Sequence, residues 1–264
     1  MNFYSNSKDL FYKLQRAAIK VTGNTIKVIS YLFHFFFPKK RFLIPSFSSS
    51  SSRAEVDNPI SRIVWQTNFT DKVTLPVYAN YLFNRLFSRG FTYRFVSTDE
   101  RLAFIEREFP EETVNAYRRL KIGASQADFW RIAVLIKHGG VYIDIDAHFV
   151  RSLEAIVRRK KEVFLLTRDG ELTNYFIASC KNNDHLKKVL ERMVSNIVSR
   201  SSNNIYHLTG PGLLNLVLRK EEVQTDSHWR TCNQGTFTNR HFQYIDRVGG
   251  KWVDQQRREG IFND

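Results

Sequence analysis

Tyr142, Asp144 and Asp146 alternate with Val141, Ile143 and Ile145. In a β-strand that period puts the phenol and both carboxylates on one face and the aliphatic side chains on the other. Two acids on one face repel each other and are costly to bury unless a cation pairs with them. Carboxylate oxygens suit Mg²⁺ or Mn²⁺, which take one or two carboxylates and keep other positions for water and substrate phosphates. Asp128 and Arg131 stand three apart, so on a helix they face the same way. Gly139-Gly140 closes that helix and turns it directly into the acidic strand. Each piece alone carries little weight, since an Asp–Arg pair is usually a surface contact and Gly-Gly an ordinary cap. Their order is what is uncommon.

The elements that must position these groups alternate between strand and helix. Ile60–Gln66 reads as a strand. Leu75–Arg89 reads as a helix, with Pro76 in its first turn and Gly90 at its end. Phe91–Ser97 is a second strand, a helix starts at Asp99-Glu100, and another spans Pro110–Leu120. Ala124–His138 is a strong helix, followed by strands Val141–Asp146 and Val163–Thr167. This α/β alternation implies a mostly parallel sheet covered on both faces, with ligands beyond the carboxyl ends of the strands.

The chain has 264 residues and a net charge of +14, from 40 Lys+Arg against 26 Asp+Glu. An apolar fraction of 42% excludes disorder as the main state. Two cysteines, Cys180 and Cys232, exclude a disulfide framework. The charge admits nucleic acid, an anionic membrane surface or an anionic substrate. Nine basic residues against three acidic ones place +6 of it in the first 60 residues. Those residues also hold the run Thr25–Phe37, too short to span a bilayer and followed by no leader-type cleavage site. Its aromatic and basic residues suit a segment lying in a membrane interface, and Lys39-Lys40-Arg41 favours an anionic cytoplasmic leaflet. Packing on the main domain is the alternative. Ser46–Arg53 reads as a flexible linker. The expected organisation is an arm over 1–45, a linker over 46–58 and a catalytic domain over 59–264.

The block Ala127-Asp128-x-x-Arg131, then Gly139-Gly140-Val141-Tyr142-x-Asp144-x-Asp146, resembles the DXD-motif sugar-transferase family. That family includes initiating α-mannosyltransferases of the yeast type, bacterial capsule and lipopolysaccharide glycosyltransferases and, distantly, the large clostridial glucosylating toxins. Ile63-Val64-Trp65-Gln66-Thr67 is similar to its opening strand, Asn174–Ser179 to its N-x-F-I-A-x segment, and Thr209-Gly210-Pro211 to its T-G-P turn. The resemblance runs from about Ile60 to Trp252.

The resemblance implies a GT-A fold, a nucleotide-sugar donor (UDP or GDP) and transfer with retention. It implies that Asp146 ligates Mn²⁺ or Mg²⁺ and that Asp144 contacts the ribose or the metal through water. Asp128 and Arg131 would bind the donor sugar, Trp65 would stack on the base or serve as a core aromatic, and Tyr142 would share the acids' face. Asn174, Thr209, Gly210 and Trp252 would line the sugar or acceptor side. Asp128 and Asn174 are the candidates if a nucleophile exists. The C-terminus departs from the family's Ser/Gly-x-Trp ending: Gly250 and Trp252 are present but no Ser is, and Lys251 could contact phosphate instead. His241, Asp246 or no residue would then be the third metal ligand. The acceptor expected is a glycan or lipid-linked sugar, on the cytoplasmic face of a bacterial inner membrane or, alternatively, in the Golgi. A nucleic-acid module finds no motif in the chain, and an inactive scaffold would have no reason to keep four costly polar residues.

Overall fold

The computed structural model describes residues 3–49, 58–247 and 249–263. The elements are α1 (Phe3–Phe36), β1 (Phe42–Leu43), β2 (Phe47–Ser48), β3 (Ile63–Thr67), β4 (Lys72–Val73), α2 (Leu75–Phe87), β5 (Thr92–Val96) and α3 (Thr98–Glu108). There follow α4 (Glu111–Arg119), α5 (Gly123–His138), β6 (Gly140–Ile143), β7 (Ala147–Phe149), α6 (Leu153–Val157), β8 (Glu162–Leu166) and β9 (Leu172–Ser179). The last third supplies α7 (Asp184–Val198), α8 (Ile205–Leu208), α9 (Pro211–Val217), β10 (Thr225–Ser227), α10 (His228–Thr231), β11 (Cys232–Gln234), α11 (Arg240–Tyr244) and α12 (Trp252–Glu259).

Seven strands form one sheet in the order β10-β8-β9-β6-β3-β5-β2. Five run one way, while β9 and the edge strand β2 run against them. The expected mostly parallel α/β sheet is therefore present. Its two faces carry separate cores. Val141 and Ile143 of β6 enter one, with Val64, Tyr93 and Phe176. Tyr142 enters the other, with Trp130, Ile177 and Met193. The large aromatics that would have served a nucleic-acid surface, such as Trp130, Tyr93, Phe91 and Phe129, are fully buried.

The α5–β6 junction requires its glycines. Gly140 has φ +104°, and a Cβ there would sit 2.6 Å from the Ile63 carbonyl oxygen. That close approach is what lets β6 leave the helix and pair at once with β3. The acidic strand differs from expectation. β6 stops at Ile143, and both acids lie in a turn closed by Ala147 N–H donating to Asp144 O at 3.0 Å. The ladder ends because Asp144 N–H makes its last bond to Tyr175 O, at 2.8 Å.

The apolar run Thr25–Phe37 is the end of a much longer helix. No helix among the described residues is long and apolar enough to cross a membrane. One side of α1 packs on the domain, where Ile19 joins Val150 and Phe237, and His34 Nε2 accepts from Leu75 N–H at 3.1 Å. At Gly23 the helix comes so close that a Cβ would lie 2.7 Å from Thr236 Cγ2. Arg16 donates to Asn233 Oδ1 and Tyr31 OH accepts from Asn239 Nδ2. The other side exposes Leu14, Val21, Val28, Leu32 and Phe35. The expected linker also changes. Phe47 and Ser48 extend the sheet by pairing with Arg94 and Tyr93 of β5, whose outer edge would otherwise be unpaired. Residues 50–57 of that stretch lie outside the described residues.

Candidate active site

Arg131 is the centre of the polar cluster. α5 carries it and Asp128 on one face, both nearly inaccessible to solvent. Its Nη2 stands 3.0 Å from Asp128 Oδ1 and 3.2 Å from Asp144 Oδ1. Its Nη1 donates to the Asn174 carbonyl at 2.5 Å, and the guanidinium lies 4.4 Å from the centre of the Tyr142 ring. One cation thus ties the helix acid to the first acid of the turn. Asp128 also accepts from Asn174 Nδ2 at 2.8 Å and Thr209 Oγ1 at 3.1 Å. Tyr142 OH donates to Asp144 Oδ1 at 2.7 Å.

The turn itself is held from behind. Gln66 of β3 donates to Asp144 O at 3.3 Å, while Asn80 of α2 donates to Ile145 O and Ala147 O at 2.9 Å each. Two further glutamines face the acids. Gln234 Nε2 lies 2.9 Å from Asp146 Oδ1 and 3.4 Å from Asp144 Oδ2. Gln243 Nε2 donates to Asp146 Oδ2 at 3.0 Å. Beside Ile145 and Gln243 a shallow cleft opens to solvent, bordered by Asn68, Phe69, Thr70 and Tyr244.

Electrostatics in the cluster are uneven. Burial pushes the Asp128 carboxyl up to about 7, outweighing the attraction of Arg131. Surrounding protein and then the nearby Asp144 charge push Asp146 up to about 6, against the bonds from Gln234 and Gln243. Burial works to lower Arg131, but Asp144, Tyr142 and Asp128 together hold its pKa above the usual arginine value. The acid pair therefore has an excess of negative charge that Arg131 serves only on the Asp144 side. A divalent cation fits this donor set: two carboxylates from one turn, with amide oxygens available on both glutamines.

A pH experiment follows from Asp128. Its raised value means the folded chain holds a proton that the unfolded chain releases near 3.8. The stability this gives is complete below 3.8 and is lost as pH rises through about 7. His148, lowered by burial to about 4, acts oppositely, losing stability as pH falls below 6.5. The Asp128 contribution is thus read as a difference. The urea midpoint of wild type relative to Asp128→Asn is expected to fall between about pH 4 and 7. Parallel curves for the two proteins would remove the assignment.

The structure brings together Asp128, Arg131, Tyr142, Asp144, Asp146, Asn174 and Thr209, with Gly210 adjoining as the N-cap of α9. It does not bring Trp65. That indole N–H donates to Gly139 O at 2.9 Å, and the ring lies against Trp130 and His138. This is the opening end of β6, whereas the acids stand past its other end. Trp252 packs on the main core at the start of α12. Neither candidate third ligand points at the acids: His241 stacks on Tyr31, and Asp246 takes two 2.6 Å bonds from Arg41. Gln234 and Gln243 went unnoticed in the sequence. They sit on elements of three and five residues with no periodic signal.

The fold is similar to that of a solved GT-A-like glycosyltransferase structure. The structure titled PaToxG Glycosyltransferase superposes with a TM-score of 0.50 over 81% of this chain and 80% of its own, at 16% identity. The UDP-bound glycosyltransferase domain from the YGT toxin aligns over 56% of this chain and 54% of its own, at TM-score 0.35 and 14% identity. Residues 76–163 match the family described as the glycosyltransferase sugar-binding region containing the DXD motif. The matched span holds Asp128, Arg131, Asp144 and Asp146. The protein named Uncharacterized glycosyltransferase L373, from Acanthamoeba polyphaga mimivirus, is 40% identical over 57 residues. That match spans 22% of this chain and 23% of the relative.

Proposed function

We propose that this chain transfers a sugar from a nucleoside-diphosphate sugar to a hydroxyl of a glycan or glycolipid, with retention, using a divalent cation at Asp144 and Asp146. The observation that carries the reading is Arg131 joining Asp128 to the acid turn at the carboxyl end of β6. Mn²⁺ or Mg²⁺ held by Asp146, with Asp144, would offset the charge that develops on the departing diphosphate. The residues do the rest. Asp128, already fixed by Asn174 and Thr209, is placed to accept bonds from sugar hydroxyls. Arg131 holds both acids in register and adds positive charge beside the leaving group. The bond from the anomeric carbon to the diphosphate oxygen breaks, the acceptor oxygen bonds to that carbon, and the acceptor proton passes to the leaving phosphate oxygen.

A thermal-shift panel of UDP- and GDP-sugars with Mn²⁺ tests the donor. One nucleotide-sugar at a hundredfold excess over its Kd would stabilise the chain by about 2.7 kcal/mol. A panel in which none acts, with either Mn²⁺ or Mg²⁺ present, overturns the reading.

The exposed side of α1 supports the acceptor class. Leu14, Val21, Val28 and Phe35 recur every seven residues on it, with Lys13 and Lys20 beside them and Lys39 and Lys40 beyond. A helix of this kind lies in an anionic membrane interface, where lipid-linked acceptors and cytoplasmic-face synthesis would be found. The full chain is expected to sediment with phosphatidylserine vesicles and to stay in solution once Val28→Asp and Phe35→Asp are combined. Equal sedimentation of both proteins would remove the membrane role, and self-association of the wild type on sizing would replace it.

A further inference from the structure

We propose that Gln234 and Gln243 are ligands of the divalent cation, supplying neutral amide oxygens beside Asp144 and Asp146. The inference rests on the cation-dependent reading above. Two side-chain amides from separate elements, β11 and α11, converge on one carboxylate. Gln234 reaches Asp146 Oδ1 at 2.9 Å and Asp144 Oδ2 at 3.4 Å, and Gln243 reaches Asp146 Oδ2 at 3.0 Å. Each amide carries its nitrogen and oxygen on one carbon. The terminal torsion of Gln is broad and two-fold, so a half-turn exchanges donor for acceptor without moving the backbone. N–H groups facing the carboxylates suit the acids without a cation. With a cation between them the N–H dipoles would be repelled, and the oxygens become the favoured atoms.

Coordination and charge both point this way. Mg²⁺-type sites are six-coordinate, and two carboxylates with two diphosphate oxygens leave two positions. The acids already carry two negative charges and the diphosphate adds more, so neutral ligands are suited to the remainder. The charged or ionisable alternatives are engaged elsewhere, His241 on Tyr31 and Asp246 on Arg41.

Both glutamines are held in place. Gln234 pairs in register with Ala147, and the following Gly235 N–H donates to Asp146 O at 3.0 Å. Asn239 caps α11 by accepting from Phe242 N–H at 3.2 Å, which fixes the turn bearing Gln243. Asn239 is itself held by Tyr31 of α1 at 2.9 Å, and Asn233 by Arg16 at 3.2 Å.

The test is Mn²⁺ titration of the full chain, read by the electron paramagnetic resonance signal of the free ion, with no donor present. Gln234→Leu and Gln243→Leu are each expected to weaken Mn²⁺ binding by about ten- to a hundredfold. Gln234→Glu and Gln243→Glu should bind Mn²⁺ as tightly as wild type or more so. His241→Ala and Asp246→Asn should leave binding unchanged. Metal-free thermal unfolding of each variant reports folding separately. Leu variants that bind like wild type overturn the inference. So does equal weakening in the Leu and Glu variants of a folded chain, which marks the amides as braces. A wild type that binds neither Mn²⁺ nor Mg²⁺ sinks the cation reading as well, so the two failures are told apart.

Discussion

Asp146→Ala should abolish sugar transfer while leaving the fold as stable as before, or more so. Asp146 is held by two neutral amides and stands next to Asp144, and among the described residues it has no ion-pair partner of its own. Its carboxyl is pushed up to about 6 by its surroundings and by that neighbour, so near neutral pH its charge is carried at a cost. Removing it relieves Asp144. Loss of the charge stabilisation aimed at a departing diphosphate lowers kcat/KM by roughly a thousandfold or more. Thermal unfolding of the same sample is expected to hold or rise by a few degrees, at about 1 kcal/mol for 2–4 °C in a chain of this size. The opposed readouts separate a residue of the site from one of the core. An Asp146→Ala enzyme with near-normal donor hydrolysis would end the assignment of the acid turn.

The second large effect is on stability. Arg131 is nearly inaccessible and serves Asp128, Asp144 and the Asn174 carbonyl at once. Arg131→Met leaves two acids facing each other without their cation, and removing one side of a buried pair costs about 3–5 kcal/mol. Arg131→Lys should recover little, because a single ammonium lacks the planar fork that reaches three acceptors. The urea midpoint measures both. Without Arg131 the Asp128 carboxyl, already raised by burial, takes up its proton more readily, so the loss in Arg131→Met should be smaller at pH 5 than at pH 8. Adding Asp128→Asn to Arg131→Met should return part of the stability, since the two residues touch and their effects couple. A cost below about 1 kcal/mol at pH 8 would show that the cluster carries little of the fold's stability.

Most of this cluster was legible because it lies on long elements with clear periods. Asp128 and Arg131 share a face in a sixteen-residue helix whose apolar residues define its axis, and Gly139-Gly140 marks its end. The two acids do stand side by side past the helix and its glycines, but on a turn rather than a strand. Period two continues through Asp146, and only the pairing of Asp144 N–H with Tyr175 O, far along the chain, ends the strand. Trp65 was open between a base-stacking ligand, as the resemblance implied, and a core aromatic; its indole fills the hollow beside Gly140 and bonds to Gly139 O. Gln234 and Gln243 had no local signal, because β11 exists only through its ladder with β7. The polar first two turns of α1 likewise hid a helix that the apolar run alone placed too late.

Helix α1 also sets an order of events during synthesis. Part of its inner side is closed by the chain's last quarter: Arg16 meets Asn233 only 217 residues later, and Tyr31 meets Asn239 after 208. At about 5–20 residues per second, the helix would wait roughly ten to forty seconds for that cover. Through this interval Ile19 and Ile26 lack Phe237 on one side, while Val21, Val28 and Phe35 face solvent on the other. A nascent chain in that state is a substrate for holdase chaperones, or for a bilayer, before it is an enzyme. Chains cut short of Cys232 would never leave it.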